Sequence, residues 1–101
     1  MHKNYSGKLI QSLREKNSWS QHVLAEKISD LLGRDKPMTR AVVCRIEKGG
    51  KKMPRAWIEP LAKLFYNGDS TRLDAAHALD SASEYLPEHQ INYLSVLASP
   101  V

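Results

Sequence analysis

The side chains with the clearest chemical potential lie together in residues 39–52, which read TRAVVCRIEKGGKK. Apolar residues recur in residues 39–48 at helical spacing, with Val43 and Ile46 on one side of a helical wheel and Val42 beside them. The opposite side carries two guanidinium groups, one ammonium group and two small side chains: Arg40, Ala41, Cys44, Arg45 and Lys48. We therefore expect a short helix with one buried face and one basic face.

The basic face fits the chemistry of double-stranded DNA. An arginine fork can pair with two acceptors on guanine in the major groove. Small side chains at Ala41 and Cys44 would let the helix backbone come close to the bases. The cations that follow, Lys51, Lys52 and Arg55, would neutralise phosphates. The alternative interpretation is a basic face that contacts only solvent.

No pattern in the sequence predicts catalysis or metal binding. We see no paired carboxylates, nucleophile–base pair, glycine-rich phosphate loop or Cys/His cluster with zinc spacing. Cys44 is the single cysteine, and we interpret it as a small side chain at the DNA face rather than a redox switch. His22, His77 and His89 share no spacing, so we interpret them as surface or capping residues. We expect no enzymatic activity, cofactor or metal.

The elements that position these residues are expected to be helices throughout. Apolar residues recur at spacings of three and four, and runs that alternate apolar and polar residues are missing. We predict an all-α bundle of five to six helices, at about residues 6–16, 21–32, 40–48, 56–66, 71–85 and from residue 88 onward. Ser20 and Thr39 are predicted N-caps, and Gly33 is a predicted helix end.

The buried positions follow from the same spacing. The second helix should bury Leu24, Ile28 and Leu31, and both tryptophans, Trp19 and Trp57, are expected in the core. Pro60 fits the fourth helix only in its first turn, where a missing N–H breaks no intrahelical hydrogen bond.

Composition favours one small domain in a reducing compartment. The chain has 101 residues, of which 42% are hydrophobic, and no apolar run approaches the ~20 residues of a membrane span. The N-terminus lacks the apolar segment of a signal peptide, and a single cysteine forms no internal disulfide. We expect a cytoplasmic protein without membrane association.

Charge is distributed unevenly. Residues 1–68 contain 14 of the 15 Lys and Arg but six of the 11 Asp and Glu, a net charge of +8. Residues 69–101 contain one arginine and five acidic residues, a net charge of −4. The basic part favours a polyanionic partner, which divides the chain into a binding region, 1–68, and C-terminal helices, 69–101.

Four segments occur in an order that resembles the helix-turn-helix of the Cro/lambda-repressor (XRE) family. They are LREKN (13–17), SQHVLAEK (20–27), TRAVVCRIEKG (39–49) and PLAKLF (60–65), and the likeness spans about residues 7–65. The resemblance implies a lambda-repressor-like bundle whose third helix enters the major groove. It departs from the family at residues 29–38, SDLLGRDKPM, where the second helix is extended and the loop lengthened; Arg34 and Lys36 could add phosphate contacts there.

The resemblance also implies residue roles. Gln21 would bind a phosphate, Arg40, Ala41 and Arg45 would face base edges, and residues 49–52 would contact the DNA backbone. Arg14 and Glu47 match a pair that forms a partly buried salt bridge. The full predicted DNA-binding set is Gln21, Thr39, Arg40, Ala41, Cys44, Arg45, Lys48, Lys51, Lys52 and Arg55.

The acidic C-terminal helices lie beyond the resemblance. Their apolar seam could pack on the same domain or form a homodimer interface, and we favour the interface: Ala75, Leu79, Ala82, Leu86, Ile91 and Leu94. We therefore predict a sequence-specific transcription regulator, namely a dimeric repressor or autoregulator of a phage or other mobile element that binds an inverted repeat. The alternative is an antitoxin or other interaction module whose C-terminal helices bind a protein partner.

Overall fold

The computed structural model describes residues 4–33, 35, 38–82 and 85–98, and all regular structure in them is helical. The expected all-α bundle is confirmed. A short 3₁₀ turn, Arg55–Trp57, precedes the fourth of six α-helices: α1 (Tyr5–Lys16), α2 (Gln21–Leu32), α3 (Arg40–Glu47), α4 (Ile58–Phe65), α5 (Thr71–Ala82) and α6 (Glu88–Leu97).

The ends of α2 form as the sequence predicts. The Ser20 hydroxyl accepts a hydrogen bond from the backbone N–H of Val23 at 3.1 Å, and Gly33 ends the helix in the left-handed conformation with φ of 66°. Thr39 precedes α3 with extended backbone, but its side chain makes no capping hydrogen bond. The first turn of α3 is instead closed by the Val42 N–H, which donates to the Thr39 carbonyl at 3.2 Å.

The fourth helix begins later than the start at about residue 56 that the sequence predicts. The 3₁₀ turn takes the first residues of that segment, and α4 starts at Ile58. Pro60 is therefore the third residue of the helix and is buried there, where its missing N–H breaks no intrahelical bond. Trp57 is almost fully buried, as predicted.

One apolar core joins the basic and acidic parts of the chain. Helix α1 packs against both α3 and α5, and α6 packs against α5. The fully buried residues of this core come from five helices: Ile10, Leu24, Ala25, Ile28, Val43, Ile46, Leu61, Leu73, Ala76 and Leu79. Helix α6 adds the half-buried Ile91, Leu94 and Leu97 at its edge. Helices α5 and α6 are thus part of the same packed unit as α1–α4.

A carboxylate of α5 also binds the start of α1. Asp80 is buried and accepts hydrogen bonds from the backbone N–H of Tyr5 at 2.7 Å and of Ser6 at 3.2 Å. Free N–H groups and the positive end of the helix dipole both favour a carboxylate at this position. The contact spans 75 residues of sequence, which helical spacing alone does not predict.

Burial corrects two of the sequence predictions. Leu31 was expected in the core, but its side chain is 45% exposed, and the adjacent Leu32 packs against the core instead. Ala75 and Leu79 were expected at a dimer interface, but they are buried within the single chain. Because α1 and α6 already cover α5, these two side chains have no surface to offer a second subunit.

None of the helices in the described ranges has both the length and the apolar character required to cross a membrane.

Candidate nucleic-acid interface

Helix α3 has two sharply different faces. Val43, Ile46 and Glu47 are buried against α1 and α2. The opposite face exposes Thr39, Arg40, Ala41, Arg45 and Lys48, whereas Val42 and Cys44 are half-buried beside it. The buried and basic faces predicted from the helical wheel are thus present, except that Cys44, which was assigned to the basic face, is half-buried at its edge.

The basic loop continues this exposed face. Gly49 has φ of 83°, a left-handed conformation that glycine adopts without strain, and the Gly50 N–H donates to the Arg45 carbonyl at 2.9 Å. Farther along, Met53 is buried in the core and anchors the loop. The three cations of this loop, two before Met53 and one after it, are exposed: Lys51, Lys52 and Arg55.

A buried carboxylate fixes α3 relative to α1. Glu47 accepts two hydrogen bonds from the Arg14 guanidinium, from Nε to Oε2 at 2.7 Å and from Nη2 to Oε1 at 2.9 Å. The Glu47 side chain is 3% exposed. Because water does not reach it, its negative charge is stabilised by these two donors. The hydrogen bond and the charge of Glu47 raise the pKa of Arg14, although burial acts in the opposite direction. The remaining Arg14 group, Nη1, donates to the Trp19 carbonyl at 2.9 Å.

Gln21 extends this network to the exposed face. Its Nε2 donates to Glu47 Oε1 at 3.0 Å, and its Oε1 accepts from Arg40 Nη1 at 3.3 Å. The family resemblance implied only a phosphate contact for Gln21. In the free protein its amide also connects an exposed arginine to the buried ion pair.

Asn4 is a structural residue that the sequence reasoning missed. Its Oδ1 accepts from the Gly7 N–H at 3.1 Å, and its Nδ2 donates to the Glu47 carbonyl at 2.7 Å. One side chain thus caps the start of α1 and the end of α3. An asparagine just before a predicted helix is a recognisable capping signal, but the contact with α3 had no signal in the sequence.

Glycine at position 7 permits this close approach of α1 and α3. A Cβ atom there would overlap the Ile46 carbonyl oxygen and the Asn4 side chain. The helices therefore meet at a distance that no larger residue allows.

Trp19 does not extend the candidate surface. Trp19 is half-buried, lies 5.3 Å from the Phe65 ring, measured between centroids, and has the Lys27 ammonium 4.8 Å from its own centroid. With neighbours on these sides, Trp19 packs against the core and is not a free platform for a base.

The histidines and Cys44 are not brought into one site. His22 is exposed and lies 2.8 Å from Glu26 on the same helix, while His77 and His89 belong to α5 and α6. Cys44 is half-buried on α3. Across the described residues, no group of three or more His, Cys, Asp or Glu side chains could hold a metal ion.

The other residues predicted at the dimer interface or at phosphates differ in burial, and some lie outside the described residues. Leu86, Ile91 and Leu94 are half-buried, with Ile91 and Leu94 packed against the core of their own chain. The side chain of Ala82 and the residues Arg34 and Lys36 lie outside the described part of the structure.

No protein-family model, curated protein or solved structure matches this chain. Its function is therefore argued from the geometry of α3 and its neighbours.

Proposed function

We propose that the protein is a sequence-specific DNA-binding transcription regulator of the Cro/lambda-repressor helix-turn-helix type, with α3 as its recognition helix. The observation that carries the proposal is the outer face of α3. Arg40 and Arg45 are exposed on it, and the side chains beside them, Ala41 and Cys44, are small. A helix that reads base edges must lie deep in the major groove, which large neighbouring side chains would prevent.

The roles of the individual groups follow from their chemistry. Arg40 and Arg45 offer planar forks for guanine O6 and N7, and each such pair contributes about 1–3 kcal/mol of discrimination. Lys48, Lys51, Lys52 and Arg55 are cations suited to phosphates. Phosphate contacts set orientation, whereas base contacts set sequence preference.

Rigidity supports the same proposal. A recognition helix is useful only if its side chains are held in register with the bases. Here the Arg14–Glu47 pair, Asn4 and Gln21 connect both ends of α3 to α1 and α2. Gln21 holds Arg40 in the free protein and could pass to a phosphate in the complex, because the start of α2 lies next to the exposed face.

In the proposed mode of action, a small protein occupies a promoter and excludes polymerase. Two copies would read an inverted repeat, with recognition helices about 34 Å apart, one turn of B-form duplex. Repression and autoregulation are the activities most consistent with such a chain.

Selection of binding sites from random duplexes is the direct test. We expect an enriched inverted repeat with guanines at equivalent places in both half-sites. The control is the double variant Arg40→Ala/Arg45→Ala, whose fold should be unchanged because both side chains are exposed, and which should lose the preference. If no sequence competes better than bulk genomic fragments, the proposal is wrong.

A further inference from the structure

The end of α3 is held by the residue that precedes α1. Asn4 Nδ2 donates at 2.7 Å to the Glu47 carbonyl, which belongs to the last turn of α3, where carbonyls have no intrahelical partner. The Asn4 side chain also lies beside Gly49, since a Cβ atom at that glycine would be 3.3 Å from Asn4 Cβ. Asn4 therefore fixes both the last turn of α3 and the point at which the basic loop, residues 49–55, begins.

Asn4 is itself positioned by the first turn of α1. Its Oδ1 accepts from the Gly7 N–H at 3.1 Å, and its backbone carbonyl accepts from the Lys8 N–H at 3.3 Å. These two bonds are local to α1, so they do not attach its first turn to another helix. Asn4 can hold α3 in one place only if the beginning of α1 is held as well.

Asp80 of α5 supplies that attachment. Its Oδ1 accepts from the backbone N–H of Tyr5 at 2.7 Å and of Ser6 at 3.2 Å, the two residues that follow Asn4. Asp80 is only 6% exposed. If the first turn of α1 moved away, a buried carboxylate would lose these donors, which is strongly unfavourable. The start of α1 therefore resists displacement from α5.

We propose that Asp80 is a positioning residue of the DNA-binding surface, and that it holds the end of α3 and the basic loop through Asn4. The path from α5 to α3 crosses one turn of α1: Asp80 binds the N–H groups of that turn, and Asn4, at its cap, binds α3. Both residues lie outside residues 7–65, over which the family resemblance extends. The inference rests on the proposed function in one respect, namely that α3 and the loop bind DNA.

The expected effect on DNA binding concerns the loop more than the start of α3. The loop cations lie between two anchors, the Asn4 contact and the buried Met53. Without the first anchor these cations are mobile, and ordering them on phosphates costs affinity. At the other end of α3, Arg40 keeps its hydrogen bond to Gln21. Loss of the Asp80 carboxylate should therefore weaken binding to all duplexes to a similar extent and preserve the base preference of Arg40.

Amide hydrogen exchange of the free protein tests the path without DNA. The Gly50 N–H donates to the Arg45 carbonyl, so its exchange rate reports opening of the end of α3. Asp80→Ala should raise that rate at least about tenfold, because the first turn of α1 loses its acceptor. Asp80→Asn keeps an acceptor oxygen but not the charge, and its rate should lie between those of wild type and Asp80→Ala.

Two other variants of α5 separate positioning from a simple loss of charge or stability. Asp74→Ala removes an exposed carboxylate, hence the same charge, whose hydrogen bond is to the nearby Ser70. Leu73→Val removes a methylene group from the core and lowers the stability of the whole fold. Neither should change exchange at Gly50, because the end of a helix opens locally without unfolding of the chain.

DNA binding tests the consequence. On the selected duplex and on one of unrelated sequence, Asp80→Ala should raise Kd by the same factor, at least about fivefold. Asp74→Ala and Leu73→Val should bind no more weakly than about wild type. Unfolding alone does not produce the fivefold loss, because a chain that is about 95% folded loses only about 5% of its affinity. If circular dichroism shows that Asp80→Ala does not fold, Asp80→Asn replaces it in every comparison, with a smaller effect.

A double variant shows whether the two residues act through one path. In Asn4→Ala the link to α3 is already broken, so adding Asp80→Ala should change neither Gly50 exchange nor Kd further. The inference is overturned if Asp80→Ala leaves Gly50 exchange at the wild-type rate, if exchange accelerates without a change in Kd, or if the two changes add in full. If wild type binds no duplex although exchange accelerates in Asp80→Ala, the proposed function fails and the path from α5 to α3 stands.

Discussion

At the residue scale, Glu47 is the point at which the supports of α3 converge. Its carboxylate accepts from Arg14 and Gln21, and its backbone carbonyl accepts from Asn4. A buried carboxylate without donors is strongly unfavourable. Glu47 therefore couples the stability of the fold to the position of the helix proposed to read DNA.

Arg14→Ala should be among the most destabilising single changes at a charged residue. It leaves the Glu47 charge buried with Gln21 as its remaining side-chain donor, and we expect a loss of about 3 kcal/mol in the free energy of unfolding. Urea denaturation measures this loss. Lys48→Ala, at an exposed position, should stay within about 0.5 kcal/mol of wild type.

A second variant isolates the cause of that loss. In the double variant Arg14→Ala/Glu47→Gln the unpaired charge is gone, so stability should recover in part. If the double variant is no more stable than Arg14→Ala, lost packing rather than unpaired charge explains the effect.

Arg45 and Lys52 should differ in what their loss does to DNA binding. Arg45→Ala should relax the preference at one base pair in each half-site, by about 1–3 kcal/mol, because a fork on guanine is lost. Lys52→Ala should weaken all duplexes alike, because a phosphate contact is lost. Competition between the selected site and single-base variants measures both, and equal losses on every sequence from both changes would contradict the assigned roles.

At the element scale, the contact between α1 and α3 is set by Gly7. Gly7→Ala should destabilise the protein, although alanine favours helices by about 1 kcal/mol over glycine. The added Cβ would overlap the Ile46 carbonyl oxygen, part of a backbone that cannot turn aside, so we expect a net loss of about 2 kcal/mol by thermal or urea unfolding.

Gly50→Ala is the matched control for this change. A Cβ there would lie 3.7 Å from the Arg45 carbonyl oxygen, an ordinary contact. A near-neutral Gly7→Ala would mean that α1 and α3 separate more easily than their contacts indicate.

Helices α5 and α1 are joined by the Asp80 cap. Asp80→Ala leaves the N–H groups of Tyr5 and Ser6 without their acceptor in a buried place, which costs about 1–3 kcal/mol. Asp30→Ala removes an exposed carboxylate from α2 and serves as the control. Amide hydrogen exchange at Tyr5 and Ser6 should accelerate in the Asp80 variant before the rest of α1, and unchanged protection there would refute the cap.

At the scale of the whole molecule, charge separation predicts how binding depends on salt. With about ten phosphate contacts in a dimer, the slope of log K against log salt should be near −9. Titrations of one selected duplex at several salt concentrations measure it. Glu88→Gln changes the net charge by one at the acidic end and should leave the slope unchanged, whereas a wild-type slope near zero would exclude phosphate-dominated binding.

Much of the fold follows from sequence because it is encoded locally. The apolar spacing of three and four sets the helices, and Ser20, Gly33 and the constraint on Pro60 set both ends of α2 and the start of α4. The two faces of α3 follow from the same geometry, since a short amphipathic helix has one way to bury Val43 and Ile46. For the candidate site, the sequence alone therefore predicted which cations are exposed.

Tertiary structure decided what covers each helix. The spacing of Ala75 and Leu79 showed that α5 has an apolar side, but only the fold shows that α1 and α6 cover it and that α6 keeps Tyr93 and Val96 outside. Likewise, only the fold shows that Asp80 binds the start of α1 and that Asn4 binds the end of α3. Periodicity is a property of neighbouring residues, whereas the partner of a face depends on contacts between residues far apart in the chain, which no local pattern specifies.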